Sequence, residues 1–385
     1  MKARFWLMIV LMLGLTACGR LNWLSKPVEP PAPLPRIDSP LSVESLWSLD
    51  VGGKSEERFP YLAPAIGGDR VFAASADGRV VAAALNGGKQ LWAVKTSARI
   101  SAGPSWTEDT LLLGTLDGEV LALSAHDGSV RWRRQMSSEV LATPRGDQGM
   151  VVVRTLDGRV TGLNLADGSS RWVYESTVPS LTLRGTGAPL LENGFAMVGL
   201  DNGKVIALRL TDGRLAWEET VAVPTGRSEV ERLVDVDSDP AVLAGGLFVV
   251  TFQGKIAGFD LRSGRRVWER PASSYQGLLA SREEIYLVDD KSHVSALELK
   301  TGNPLWTQEA LLRRDLTAPA LAENRLVVAD AEGYVFWLDR ETGQLLAQDR
   351  VDRQGISAQP LAAGNGVVVI QGRGGRLAAL RIRRG

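Results

Sequence analysis

One motif recurs about every 40 residues along this chain: proline, an apolar run, Asp-Gly, a second apolar run, another glycine turn, then tryptophan. It is clearest from Pro104 to Trp132, with turns at Asp117-Gly118 and Asp127-Gly128, and from Pro144 to Trp172, with turns at Asp157-Gly158 and Asp167-Gly168. Copies at this period mean one supersecondary unit repeated side by side, since a unit this small cannot bury its apolar face alone. Runs such as Leu111-Leu112-Leu113 and Val120-Leu121-Ala122-Leu123 are too short for helices and lie between turn signals, so they read as strands. Asp-Gly suits a two-residue type I′ hairpin, which needs positive φ at both central residues. Each copy is therefore expected to form a four-stranded antiparallel sheet.

Counting the copies selects the architecture. The run after the hairpin occurs eight times, at residues 80–85, 120–125, 160–165, 205–210, 256–261, 294–299, 335–340 and 376–382. Gly-x-x-x-Trp slots follow the first seven, ending in Trp92, Trp132, Trp172, Trp217, Trp268, Trp306 and, with the aromatic lost, Ala347. The eighth copy reaches Gly385 without a tryptophan strand, whereas an unpaired Leu46-Trp47 strand precedes the first copy. The two shortages complement each other. The expectation is an all-β, eight-bladed β-propeller of four-stranded antiparallel blades, closed by an N-terminal strand pairing into the last blade. The tryptophans, fixed in place from blade to blade, read as wedges between neighbouring sheets, each contributing roughly 5 kcal/mol gross on full burial at about 25 cal/mol per Å².

The N-terminus carries an address. Lys2 and Arg4 precede an apolar stretch from Phe5 to Leu15. That is far short of the roughly 20 residues that span a bilayer, so residues 1–17 read as an export signal. It ends in Leu15-Thr16-Ala17-Cys18, which resembles the bacterial lipobox and implies cleavage before Cys18 and acylation of its thiol. Several acyl chains on one residue give stable anchoring where one does not. Gly19 stands where lipoproteins retained at the inner membrane carry Asp, so the expected destination is the periplasmic face of the outer membrane. Residues 18–40 hold Pro27, Pro30, Pro31, Pro33, Pro35 and Pro40 and read as an extended tether, with the propeller spanning 41–385. At about 3.1 Å per residue the tether reaches roughly 70 Å.

Composition excludes several functions. With 44 basic and 44 acidic residues the chain lacks the broad positive field of a nucleic-acid binder. Arginines 373, 376, 381, 383 and 384 form a basic end, read as a solvated last strand and tail. Cys18 is the single cysteine, which rules out an intramolecular disulfide and a cysteine zinc cluster. His126 and His293 fall in different blades, Glu283-Glu284 and Asp289-Asp290 in loops, and Arg145-Gly146-Asp147 in a turn between copies. No catalytic residue, cofactor or metal is expected. The repeat resembles that of quinoprotein dehydrogenases, which implies an enzyme using pyrroloquinoline quinone and calcium as the alternative. Those enzymes usually carry adjacent cysteines near the quinone, absent here.

The breaks in the repeat locate a surface. From Trp92 to Pro104 and from Trp132 to Pro144 the connection has 11 residues; from Trp172 to Pro189 it has 16, and from Trp217 to Pro240 it has 22. Enlarged loops of successive blades are expected side by side on one face, as a binding surface. The first carries Val178-Pro179-Ser180-Leu181-Thr182-Leu183-Arg184-Gly185. The second runs from Ser228 to Asp237, where Ser228 and Glu231 suit a capping box. With the eight copies and the lipobox, Pro-Ser-Leu-Thr-Leu-Arg-Gly and Arg232-Leu233-Val234-Asp235-Val236-Asp237 resemble the BamB family, lipoproteins of the β-barrel assembly machinery. The resemblance implies a non-enzymatic scaffold that docks on a periplasmic POTRA domain of the barrel component BamA and assists insertion of outer-membrane β-barrels. It assigns docking to Leu181, Leu183, Arg184, Asp235 and Asp237. Direct binding of unfolded barrel precursors by β-augmentation at an exposed outer strand is a third reading.

Overall fold

Eight four-stranded antiparallel sheets make up the computed structural model, which describes residues 29–38, 40–53 and 62–383. The expected signal, Cys18, Gly19 and Arg384 lie outside the described residues. Blades 1 to 7 occupy residues 65–95, 100–135, 145–175, 190–220, 241–272, 277–308 and 320–350, with strands paired in sequence order. First strands of successive blades contact one another, as from blade 1 through blade 4, so they line the axis and the fourth strands form the rim. Blade 8 combines three strands within residues 361–382 with Val43–Asp50, which pairs antiparallel to Arg376–Ile382. The expected closure by an N-terminal strand is therefore present.

The tryptophans do the wedge work. In blades 1 to 6 each faces a small residue on the third strand: Ala82, Ala122, Gly162, Ala207, Gly258 and Ala296 lie opposite Trp92, Trp132, Trp172, Trp217, Trp268 and Trp306. The indole then reaches the next blade, as when Trp132 Nε1 donates to Leu165 C=O at 2.8 Å and Trp172 Nε1 to Leu210 C=O at 2.8 Å. The glycine of the next Gly-x-x-x-Trp slot admits the ring: a Cβ on Gly168 would stand 2.7 Å from Trp132, and one on Gly343 2.4 Å from Trp306. Trp47 plays this part for blade 8, facing Ala379, donating to Leu85 C=O at 2.8 Å and resting on Gly88. Ring closure thus repeats the ordinary junction between blades. Core clusters accordingly bridge sheets, as where Leu112 and Ala122 of blade 2 pack with Val151, Val153 and Leu163 of blade 3.

Blade 7 solves its missing aromatic by exchange. Trp337 on the third strand faces Ala347 on the fourth and is 1% exposed, so large and small have traded strands.

Two local expectations need correction. In the Asp77-Gly78 hairpin only the glycine has positive φ, at 94°, and Gly78 N–H donates to Ser75 C=O at 2.9 Å. The turn spans four residues and ends in a left-handed glycine, so Asp77 escapes the positive φ that a type I′ turn imposes. Arg145-Gly146-Asp147 is the first strand of blade 3, not a turn. Residues from Ala32 onward form one compact unit.

Candidate functional site

The two enlarged connections, residues 176–189 and 221–240, lie against each other. Ser180 Oγ donates to Glu229 Oε2 at 3.2 Å, Leu183 N–H to Asp235 Oδ2 at 2.5 Å, and Ala188 N–H to Asp239 Oδ1 at 2.7 Å. Both sit on the face formed by the hairpins between second and third strands. Val236 N–H donates to Leu200 C=O at 3.2 Å in one such hairpin, and Phe252 N–H to Asp235 C=O at 3.0 Å in the next. The expected capping box is present: Glu231 N–H donates to Ser228 Oγ at 3.3 Å and Ser228 N–H to Glu231 Oε2 at 3.1 Å. It starts a single 3-10 turn, Val230–Arg232. The amides of Arg227 and Ser228 hold the Glu231 carboxyl below its ordinary value.

Beneath the first loop lies a buried polar cluster. Arg154, Asp201, Asp235 and Asp237 are 3%, 4%, 1% and 5% exposed, and the Arg154 guanidinium pairs with Asp201. The loop backbone presses directly on this cluster. A Cβ at Gly185 would stand 2.6 Å from Arg154 Nη2, 2.6 Å from Asp237 Oδ1 and 2.7 Å from Asp201 Oδ1, so any side chain there would displace these charged ends. Oxygens of the three aspartates lie within 4.8 Å of one another. That donor set would suit a cation, but Arg154 already supplies positive charge there.

Burial decides the protonation of these acids. Desolvation pushes Asp235 up to about 6, against the Leu183 amide, which favours the carboxylate. Desolvation, reinforced by the charges of Asp235 and Asp201, pushes Asp237 up to about 8, with Arg154 opposing. A carboxyl raised above its unfolded value near 3.9 costs no stability while both states are protonated, and costs most once pH exceeds the folded value. The cluster should therefore destabilise the ring progressively from about pH 4 to about pH 8. Asp237→Asn, which carries no charge to desolvate, is expected to raise the melting temperature several degrees at pH 8.5 and little at pH 5. Scanning calorimetry at both pH values checks this; parallel pH profiles for the two proteins would refute it.

The residues assigned to docking separate into two layers. Leu181 is 41% exposed, the Arg184 side chain 56% exposed, and Leu183 half-buried between them. Arg184 takes a φ of 66° and extends toward Glu139 of the preceding connection, Nη2 to Oε1 at 3.7 Å. Asp235 and Asp237 lie underneath, 1% and 5% exposed in this chain. The whole stretch from Leu233 to Ser238 is buried, the aspartates as well as the valines that alternate with them. The same two connections also expose Val178, Val223 and Val230, at 37%, 65% and 59%, beside the exposed charges of Arg227, Glu229, Glu231 and Arg232. Sequence reasoning passed over Val223 and Val230, although their place in an enlarged loop, outside any strand pattern, was a usable signal.

The fold is thus a repeat-built β-propeller whose two joined insertions expose apolar side chains above a buried ionic cluster. Residues 76–308 match the family described as outer membrane protein assembly factor BamB. The assembly factor BamB of Pseudomonas aeruginosa is 46% identical over 376 residues, covering 98% of each chain. That of Escherichia coli is 35% identical over 371 residues, covering 94% of each. The crystal structure of BamB from Moraxella catarrhalis superposes with a TM-score of 0.81 at 26% identity, covering 88% of this chain and 100% of that one. The chain belongs to the outer membrane protein assembly factor BamB family. Likeness to the quinohemoprotein alcohol dehydrogenase of Comamonas testosteroni, TM-score 0.70 at 12% identity over 88% of this chain and 76% of that one, concerns the fold alone. The family is one of assembly factors, and the enzyme alternative finds no support in it.

Proposed function

We propose that this chain is a lipid-anchored scaffold of the outer-membrane β-barrel assembly machinery, fixed through Cys18 to the periplasmic face of the outer membrane. It docks on a POTRA domain of BamA through the two joined insertions and so assists insertion of β-barrel proteins. The observation that carries the docking site is the exposure of Val178, Leu181, Val223, Val230 and Arg184 on two loops hydrogen-bonded to each other. Apolar side chains supply a desolvated centre, and Arg184 offers charge-assisted bonds that fix orientation. Its existing contact with Glu139, at 3.7 Å and largely exposed, is weak enough to be exchanged for a partner carboxylate.

Affinity capture from solubilised outer membranes tests the reading, with BamA expected as the stoichiometric companion. Leu181→Ala with Arg184→Glu is expected to weaken that capture about tenfold, or about 1.4 kcal/mol, at an unchanged melting temperature. Undiminished capture by this double variant would remove these loops as the docking site. Metabolic labelling with radioactive palmitate, lost in Cys18→Ser, tests the anchor separately.

A second reading is direct binding of unfolded barrel precursors by β-augmentation. It is favoured by a rim that exposes Leu91, Val130, Val173, Leu215, Val267 and Leu305, one on the fourth strand of each of blades 1 to 6. Against it, each of these strands carries a register shift, and such bulges blunt an edge against added strands. Photocrosslinkers on these strands and in the insertions would separate the surfaces, giving precursor adducts at the former and BamA adducts at the latter.

A further inference from the structure

The proline-rich segment does not run free to the first strand. Ala32 N–H donates to Leu312 C=O at 2.9 Å, Gln348 Nε2 to Pro35 C=O at 3.5 Å, and Leu41 N–H to Leu346 C=O at 2.9 Å. These contacts hold residues 32–38, 40 and 41 against the rim of blade 7. At the start of this path Arg314 acts as a clasp. It is 2% exposed, and Nη1 donates to Ala32 C=O at 2.7 Å while Nε and Nη2 bind Asp330 and Glu332 at 2.7 and 2.5 Å. Its guanidinium also lies 5.6 Å from the Tyr334 ring centre and 5.7 Å from that of Phe336. A guanidinium so fixed is pre-organised to hold one backbone carbonyl, with little rotamer freedom left to lose.

Asp330 and Glu332 belong to the hairpin between the second and third strands of blade 7. Arg314 and Ala32 are therefore on the face that carries the two insertions. We propose that residues 32–38, 40 and 41 form a docked strap clasped by Arg314, so that the free tether ends no later than Ala32, on the docking face. The 14 residues from Cys18 to Ala32 then allow at most about 43 Å, against about 78 Å for a strap released as far as Val43. The distance to the membrane rests on the anchor proposed above; the strap itself does not.

Arg36-Ile37 in the strap is a trypsin site, so cleavage there reports release. Ala32→Pro deletes the N–H given to Leu312 and brings Cδ against that carbonyl, while leaving the buried Arg314 untouched. The full chain, purified with its anchor in detergent, is digested for timed intervals and the new N-termini are read by mass spectrometry. Cleavage after Arg36 is expected to be at least tenfold slower than in a peptide of residues 29–42, and at least tenfold faster in Ala32→Pro than in the native chain. The melting temperature of the two proteins should agree. Equal cleavage rates in native and variant chains, whether fast or slow, overturn the clasp. The outcome is independent of palmitate labelling at Cys18, so failure of the strap and failure of the anchor are distinguishable.

Discussion

Asp235→Ala is expected to weaken capture of BamA about thirtyfold, equivalent to about 2 kcal/mol, although residue 235 is 1% exposed. Its Oδ2 is the acceptor for the Leu183 amide at 2.5 Å, and that bond fixes the backbone between exposed Leu181 and exposed Arg184. Without it a partly buried N–H loses its acceptor, at about 1–3 kcal/mol, and the loop escapes by rearranging. Leu181 and Arg184 then lose their pre-organised placement, and binding must supply the ordering. Asp235→Asn keeps an acceptor oxygen in place and discards only the charge, so it should restore capture to within about threefold. Hydrogen exchange at the Leu183 amide should accelerate in the alanine variant and not in the asparagine one. If asparagine proves as damaging as alanine, the charge of Asp235 is what matters and the positioning role falls. If alanine leaves capture intact, the loop conformation has no part in docking.

The sequence carried the ring almost completely, because a propeller is local structure repeated. The Gly-x-x-x-Trp spacing encodes a contact between blades, the indole of one resting on the glycine of the next, so copies could be counted before any long-range contact was known. Trp47 opposite Ala379 was legible for the same reason: the last copy lacked what the chain's first strand offered. Side-by-side insertions followed from blade order. Their depth did not. Asp235 and Asp237 alternate with Val234 and Val236, a pattern that suits either an exposed acidic edge or acids turned into the ring. What settles the choice is Arg154, 81 residues before Asp235, whose cluster no local spacing reveals. The strap was hidden likewise, since prolines suit a free tether and a docked extended segment equally well.

Blade 7 offers the largest stability effect, as a double-mutant cycle. Trp337 is 1% exposed in a cluster with Val327, Ala329, Val368 and Ile370, so Trp337→Ala should cost about 3–5 kcal/mol. Ala347 faces it directly and is fully buried, so Ala347→Trp drives a second indole into filled space and should cost about 1–3 kcal/mol or more. The double variant recreates the arrangement of the other blades, small on the third strand and tryptophan on the fourth. It should lie within about 2 kcal/mol of the native chain, giving a favourable coupling of about 3 kcal/mol. In melting temperature, at roughly 2–3 °C per kcal/mol, the first single variant falls by about 6–15 °C and the double by less than about 6 °C. One feature of the native ring favours recovery. Trp337 Nε1 has no hydrogen-bond partner among the described residues, whereas Trp132, Trp172, Trp268 and Trp306 each donate to the following blade. Relocation therefore gives up no indole hydrogen bond. Urea titration of the four proteins measures the cycle; additive losses would show that the blade 7 backbone is fitted to the exchange and does not accept the pattern of the other blades.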